Sequence, residues 1–339
     1  MMFDKLIGNE EAKSRLGRMA ASGRIPNALL FSGPEGVGKK EFAFEFARLL
    51  MCRAGGCGIC SICSRIGKVE IPKPEKGEDF DRVFLSDHPD VGLVVPYKRN
   101  LRVGSIRALE REANFRPFES ARRIFVIDDA EKMNDSASNA LLKTLEEPPA
   151  TTDIIVISAR PDSLLQTIRS RCQMIRFVPV EARSIETFLR SSGTYSAEDA
   201  ALAARAARGS VAKALSLDLE WFRQMRGLLI DVIRSAILTG SVATMLQISE
   251  QVNDPRNKDL FEESVDILQS LIRDTLAFQK GSSDLTNPDL ADQLREFADA
   301  AETSAIERWN NEIEDMRLNL SVNINRKVAI DGLFARMAA

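Results

Sequence analysis

The first half of the chain alternates short apolar runs with stretches of helical periodicity. The apolar runs lie at residues 28–32, 90–95, 123–127 and 153–158, and a fifth strand is predicted at residues 173–177. Between them, Ile106, Leu109 and Ala113 share one helical face, and a helix over 136–145 is predicted to end before Pro148. Such alternation is typical of a mainly parallel sheet with helices on both faces. Residues 1–178 are therefore predicted to form a Rossmann-like α/β domain.

The second half of the chain shows helical patterns only. Residues 179–217 contain short helical stretches interrupted at Gly209-Ser210, and they predict a small helical lid domain. From residue 218 to 339, two long stretches each carry one apolar stripe. The stripes are Phe261, Val265, Leu268, Ile272 and Leu276, and Ile306, Trp309, Ile313, Met316 and Leu320. Residues 218–339 are therefore predicted to form an all-α domain. Its amphipathic helices are expected to pack against equivalent helical bundles of other subunits.

The net charge and the lack of long apolar runs exclude some classes of protein. The 339 residues have a formal net charge of −3, whereas a protein that grips DNA alone is usually strongly basic. Any DNA contact is thus expected to be local, or made within an assembly. The first residues show no apolar stretch typical of a signal peptide, and no run of about 18 apolar residues occurs. A cytoplasmic protein is expected.

A glycine-rich loop follows the first apolar run. Residues 33–40 read Gly-Pro-Glu-Gly-Val-Gly-Lys-Lys, which fits a Walker A loop up to its last position. Gly33, Gly36 and Gly38 would let backbone N–H groups converge on phosphate oxygens, and Lys39 would reach the β- and γ-phosphates. Lys40 stands where a Ser or Thr hydroxyl ligates Mg²⁺, and a charged lysine offers no lone pair. The loop either keeps its shape without hydrolysing nucleotide, or belongs to an ATPase with unusual chemistry.

Two acidic residues follow the third apolar run and resemble a Walker B motif. Asp128 would lie at the strand end and face Mg²⁺. Asp129 stands where Glu usually orients the attacking water, and its side chain is one methylene shorter. An acidic turn that caps a helix is the alternative reading. Both degenerate motifs favour the loss of hydrolysis.

Four of the five cysteines crowd into one short segment. Cys52, Cys57, Cys60 and Cys63 form the pattern C-x4-C-x2-C-x2-C, which predicts a closed tetrahedral Zn²⁺ site with a structural role. Free buried thiols and an iron–sulfur site are the alternatives. Cys172 lies far along the chain and is predicted to be a small core residue.

Three further segments resemble those of a known family. Residues 141–149 read Leu-Leu-Lys-Thr-Leu-Glu-Glu-Pro-Pro, residues 169–172 read Arg-Ser-Arg-Cys, and residues 88–90 read His-Pro-Asp. With the loop and the cysteines, they resemble the clamp-loader subunits of bacterial DNA polymerase III, which are AAA+ proteins. The resemblance covers residues 3–178 most strongly, weakens up to 217, and rests on residues 323–330 near the end.

Within that family the chain is most similar to the δ′ type. The ATPase subunits, called γ or τ, are expected to keep a hydroxyl at position 40, Glu at position 129 and a sensor arginine at position 212, which is Ala212 here. The resemblance implies a non-hydrolysing subunit that partners γ/τ and δ, and reaches the sliding clamp and primer-template DNA through the complex. An active γ/τ-type ATPase is the alternative, and a zinc-bearing DNA-binding module is a third reading.

The resemblance also implies roles for single residues. Arg171 would act in trans as an arginine finger at the ATP site of a neighbouring γ/τ subunit; pairing with a carboxylate of its own domain is the alternative. Residues 7–9, Ile-Gly-Asn, would pack beside an adenine, and ATP or ADP in the loop is left open. Ser158 is a weak sensor candidate. The basic residues Lys98, Arg99, Arg102 and Arg107 form either a solvated surface or a DNA-backbone contact.

Overall fold

The protein forms two compact units, residues 1–215 and 216–339. In this computed structural model, the described residues are 3, 5–73, 76–282, 284–320 and 325–338, and for 257–259 and 318–320 the backbone alone is described. Residues 323 and 324, part of the family resemblance, lie outside this range. The finer division at 178 and 217 stays a prediction.

The first unit is built on a six-stranded sheet in the order β2-β3-β4-β5-β1-β6. The strands are β1 (Ala28–Ser32), β2 (Phe84–Leu85), β3 (Val91–Val94), β4 (Arg123–Ile127), β5 (Thr152–Ser158) and β6 (Gln173–Arg176). Neighbours pair in parallel except β2 with β3, which is antiparallel. The five predicted strands are confirmed. The edge strand β2 escaped prediction because two residues are too few to show alternation.

Helices cover both faces of this sheet. They are α1 (Glu10–Ser22), α2 (Lys39–Met51), α3 (Ser61–Arg65), α4 (Val103–Ala113), α5 (Asp135–Glu146) and α6 (Gln166–Arg171). Leu29 and Phe31 of β1 pack with the buried face of α2, whereas Leu30 packs on the opposite face with α4 and α5. Because successive side chains of a strand point to opposite faces, burial of the whole strand requires two helical layers. The predicted α/β fold, a mainly parallel sheet with helices on both faces, is thereby confirmed.

The first unit ends in α7 (Ala182–Ser191), α8 (Ala197–Ala206) and α9 (Val211–Ser216), although α9 runs one residue into the second unit. A turn at Gly209 returns the chain towards the sheet. A Cβ on Gly209, where φ is +86°, would lie 2.4 Å from Cβ of Pro179. This close approach directs Ser210 and Ala212 to the glycine-rich loop.

The His-Pro-Asp segment has a structural role. Asp90 is fully buried, and its carboxylate accepts hydrogen bonds from the backbone N–H groups of residues 118, 119 and 120. Nδ1 of His88 accepts from the N–H of Asp90 at 3.3 Å, and burial lowers the pKa of the imidazole. The segment therefore fixes the loop that leads into β4.

The second unit is helical. Its helices are α10 (Leu219–Arg234), α11 (Val242–Val252), α12 (Phe261–Gln279), α13 (Ala291–Ala300), α14 (Thr303–Leu320) and α15 (Arg326–Met337). The two predicted stripes lie on α12 and α14 and are buried, apart from the half-buried Leu276 and from Leu320, whose side chain is not described. Among the described helices, none combines the length and apolar character needed to cross a bilayer.

Candidate functional site

The glycine-rich loop connects β1 to α2. Gly36 and Gly38 have φ values of +73° and +93°, which favour glycine over residues with a side chain. The buried Lys39 folds back into the loop, where its Nζ donates to the carbonyl oxygens of Gly33 at 2.6 Å and Pro34 at 2.5 Å. Burial lowers the pKa of Lys39, and nearby carboxylates oppose this shift. The loop thus has the shape of a P-loop, with its lysine bonded to the loop itself.

Lys40 pairs with the first Walker B aspartate. Its Nζ lies 3.1 Å from Oδ2 of Asp128. Burial acts to lower the pKa of Lys40, but the Asp128 carboxylate outweighs it and the pKa is raised. Mg²⁺ does not fit this arrangement, because the residue meant to ligate the ion has no lone pair and brings a positive charge.

Asp129 is also engaged by a lysine. Its Oδ2 accepts from Nζ of Lys132 at 2.6 Å, within the short 3₁₀ turn Ala130–Lys132. Asp129 itself has a φ of +49°, a conformation that non-glycine residues rarely adopt. The carboxylate that would position a water is therefore tied to its own turn.

Glu131 is a residue that sequence reasoning missed. Its Oε1 accepts from the N–H of Ala159 at 3.1 Å, and its Oε2 is buried without a hydrogen-bond partner among the described residues. Among the charges that raise the pKa of Lys39, that of Glu131 acts most strongly. Its position three residues after Asp128 was the only signal. The sensor candidate Ser158 is fully buried, and its hydroxyl accepts from the N–H of Arg160.

The start of α9 lies against the glycine-rich loop. The N–H of Ala212 donates to the carbonyl of Gly36 at 3.0 Å, and a Cβ on Gly36 would lie only 1.9 Å from Oγ of Ser210. Ala212, which stands at the predicted sensor position, therefore contacts the loop through its backbone. The amide of Asn9 exchanges two hydrogen bonds with the backbone of Val178, at 3.2 and 2.7 Å.

Gly36→Ala is expected to destabilise the first unit more than Gly38→Ala. Both positions have positive φ, so each alanine should cost about 1–2 kcal/mol of backbone strain. At Gly36 the Cβ also meets Ser210, whereas at Gly38 it meets nothing nearer than 3.8 Å. This overpacking should add about 1–3 kcal/mol.

Urea unfolding followed by circular dichroism measures this difference. Tryptophan fluorescence would report the other unit, because Trp221 and Trp309 both lie there. Equal losses of stability in the two variants would show that the contact between Ser210 and the loop carries no energy.

The four clustered cysteines are brought together in space. Their sulfur atoms lie within 4.8 Å of one another, and Sγ of Cys52 lies 3.8 Å from that of Cys57 and 3.7 Å from that of Cys60. A tetrahedral zinc–thiolate site with bonds of about 2.3 Å places its sulfur atoms about 3.8 Å apart. The four residues therefore fit a metal ion such as Zn²⁺. Cys172 lies in the core with α4 and α5, and burial raises its pKa to about 12.

Burial and hydrogen bonding act differently on the thiols of Cys52 and Cys63. The backbone N–H of Cys57 and those of neighbouring residues lower the pKa of Cys52, whereas burial raises the pKa of Cys63. Burial alone would thus keep Cys63 protonated. A bound cation would supply the charge that lets all four sulfur atoms ionise.

Arg171 ends α6 and pairs with Glu146, within the segment of residues 141–149. Its Nη2 donates to Oε1 of Glu146 at 2.8 Å, and its Nη1 donates to the carbonyl of Thr167 at 3.0 Å. The side chains of Arg171 and Glu146 are 35% and 51% exposed. Arg169, two residues earlier, pairs with Asp162 at 2.6 Å. Both arginines therefore have a carboxylate partner within the first unit.

The predicted basic run is only partly neutralised. Arg102 makes two hydrogen bonds to Asp81, at 2.7 and 3.1 Å, and Nζ of Lys98 lies 5.1 Å from the ring centroid of Tyr97. Lys98, Arg99 and Arg107 are exposed. A solvated surface and a DNA-backbone contact are both compatible with this arrangement.

Comparison with known proteins places the chain in a family. Residues 8–181, more than half of the chain, match the family described as "DNA polymerase III, delta subunit". The chain belongs to this family of DNA polymerase III subunits. Residues 222–336 match the family described as "DNA polymerase III, delta subunit, C terminal". Each of the two units therefore matches a family of DNA polymerase III subunits.

Individual relatives carry two different names. The chain is 28% identical over 304 residues to DNA polymerase III subunit delta′ of Bacillus subtilis, covering 89% of this chain and 88% of the relative. It is 27% identical over 344 residues to the Escherichia coli subunit delta′, covering 99% and 92%. It is 32% identical over 191 residues to a Mycobacterium tuberculosis subunit gamma/tau, covering 55% of this chain but 30% of that relative.

Proposed function

We propose that the chain is a δ′-type subunit of the DNA polymerase III clamp loader, which supports ATP-dependent loading of the sliding clamp without hydrolysing ATP itself. The observation that carries this proposal is the ion pair between Lys40 and Asp128. Hydrolysis at a P-loop needs Mg²⁺ to neutralise the developing charge, and here an ammonium group takes the ligand position. The near full-length match to delta′ relatives supports the same conclusion.

Two further contacts support the loss of hydrolysis. Asp129 is bound by Lys132, so its carboxylate is not free to orient a water molecule. Ala212 meets the loop with its backbone and has no guanidinium to offer a phosphate. Each departure affects a different part of the reaction, so reversing one of them should not restore turnover.

Arg171 is proposed to act in trans, at the ATP site of a neighbouring γ/τ subunit. An arginine there would neutralise charge that develops on the transferred phosphoryl group. The Arg171–Glu146 pair is partly exposed, and such pairs contribute about 0–1 kcal/mol. Exchange of Glu146 for a more highly charged phosphate would therefore cost little.

The proposal also covers the cysteine cluster, the partner subunits and the place of action. The cysteine cluster is proposed to hold a structural Zn²⁺, because four thiolates leave no ligand position open for a substrate. The partners would be γ/τ and δ subunits, with the sliding clamp and primer-template DNA reached through the complex. The protein would act in the cytoplasm, where bacterial chromosomes are replicated.

The purified chain alone is expected to hydrolyse no ATP above background, while the same chain, added to γ/τ and δ subunits, should increase clamp loading. Phosphate release measures the first result, and a clamp-loading assay on primed DNA measures the second. Brisk hydrolysis by the isolated chain would favour an active γ/τ-type ATPase instead. Tight, salt-sensitive DNA binding by the isolated chain would favour the zinc-bearing DNA-binding module.

A further inference from the structure

The glycine-rich loop carries a positively charged side chain at the position where P-loop enzymes bind Mg²⁺. Nζ of Lys40 lies 3.1 Å from Oδ2 of Asp128, across 88 residues of sequence, and joins the first turn of α2 to the end of β4. In a P-loop enzyme, Mg²⁺ is held between the residue at this loop position and the Walker B aspartate. Lys40 supplies positive charge and a hydrogen-bond donor at that place.

We infer that the Lys40 ammonium replaces Mg²⁺ in this protein, so that the P-loop and β4 are held together with no metal, and any nucleotide phosphate that enters binds independently of Mg²⁺. This inference rests on the proposed function, whose non-hydrolysing site it explains. It goes further by naming the group that substitutes for the metal and the ligand class, metal-free phosphate, that the loop can still accept.

Electrostatics supports this exclusion of the metal. A divalent ion bound to Asp128 would lie within a few ångströms of the Lys40 ammonium, and like charges repel strongly at such distances. Asp128 is 18% exposed, so its charge is only partly solvated and gains from a partner. The raised pKa of Lys40 keeps the ammonium charged at neutral pH.

Three carbonyl groups of the loop also have hydrogen-bond partners within the protein. Lys39 donates to the carbonyls of Gly33 and Pro34, and the carbonyl of Gly36 accepts from Ala212. These bonds hold the loop in its P-loop conformation from within. In a P-loop enzyme, a metal ion would connect α2 to the end of β4. Here Lys40 makes this connection through Asp128.

Lys40→Thr tests the inference, because it restores the hydroxyl and removes the ammonium. We expect this variant to bind Mn²⁺–ADP at least about tenfold more tightly than the unmodified chain, in titrations of the full-length protein followed by electron paramagnetic resonance of Mn²⁺. Lys40→Arg keeps the positive charge and should exclude the metal as the unmodified chain does. Hydrolysis should stay absent in both, because Asp129 and Ala212 are unchanged.

Lys132→Thr is the matched control. It removes a second lysine from a second aspartate of the same site, since Lys132 pairs with Asp129 at 2.6 Å, but it leaves Lys40 in place. Its affinity for Mn²⁺–ADP should change far less than that of Lys40→Thr, because Lys132 does not stand at the metal position. If Lys40→Thr does not fold, the unmodified chain still decides the question through its ADP affinity with Mg²⁺ and with a chelator.

Equal and measurable ADP affinity under those two conditions agrees with the inference, whereas no measurable binding under either would overturn the claim that the loop accepts metal-free phosphate. Metal-dependent binding by the unmodified chain, or Lys40→Thr that folds and gains no affinity for the metal, would overturn it. Either result could occur in a chain that hydrolyses nothing, so the proposed function would survive. Conversely, turnover by the isolated chain would remove the proposed function whatever the metal dependence.

Discussion

Arg171→Ala is expected to leave the clamp-loader complex assembled but to slow hydrolysis at the adjacent γ/τ site by about 10³-fold or more, the range found for arginine fingers supplied in trans. This corresponds to a loss of about 4 kcal/mol of transition-state stabilisation. The size of the expected effect follows from the charge of the guanidinium, which in the proposed trans role would lie where the phosphoryl group becomes most negative. Single-turnover ATP hydrolysis by the reconstituted complex measures it, because slower turnover at one site would be hidden in a steady-state rate.

The chain offers two controls for this experiment. Arg169→Ala removes a neighbouring arginine that pairs with Asp162, and it should leave hydrolysis near normal. Glu146→Gln removes the internal partner of Arg171 while keeping the guanidinium. If Arg171 serves only to pair with Glu146, the two partners' variants should behave alike. If it acts in trans, only Arg171→Ala should lose activity. Full activity of Arg171→Ala in the complex would exclude the trans role.

Cys63→Ser is expected to abolish metal binding. The unmodified chain should carry about one Zn²⁺, and the variant close to none, because three thiolates leave an open position and serine is a poor zinc ligand. Structural zinc sites contribute about 10–16 kcal/mol of apparent binding free energy at neutral pH. Residues 52–65 should therefore lose their fold in the variant. Metal analysis and hydrogen exchange of this segment measure the two effects.

Cys172→Ser is the matched control for the metal experiment. Cys172 is buried in the core between the sheet and α5, far along the chain from the cluster. The variant should lose some stability but keep its zinc. Zinc retained by Cys63→Ser at the level of the unmodified chain would remove the proposed site. Iron in place of zinc in the unmodified chain would favour the iron–sulfur alternative.

The local features of this protein were determined by sequence alone. Four of the five parallel strands could be predicted because each is a short apolar run buried on both faces, whereas β6 is partly exposed. The P-loop could be predicted because its glycines have fixed spacing between a strand and a helix. The cysteine cluster could be predicted because its four thiols lie within a segment of twelve residues. In each case the physical requirement is met by neighbours along the chain.

Only the tertiary structure showed which of these features contact one another. Sequence showed that Lys40 cannot ligate a metal, but not that its ammonium reaches Asp128, 88 residues away. It did not show that Glu131 approaches Lys39, or that Ala212 binds the loop through its backbone. It also left open which carboxylate Arg171 meets, and this proved to be Glu146, 25 residues away. These contacts depend on strand order and helix packing, which bring distant residues together and which no local pattern encodes.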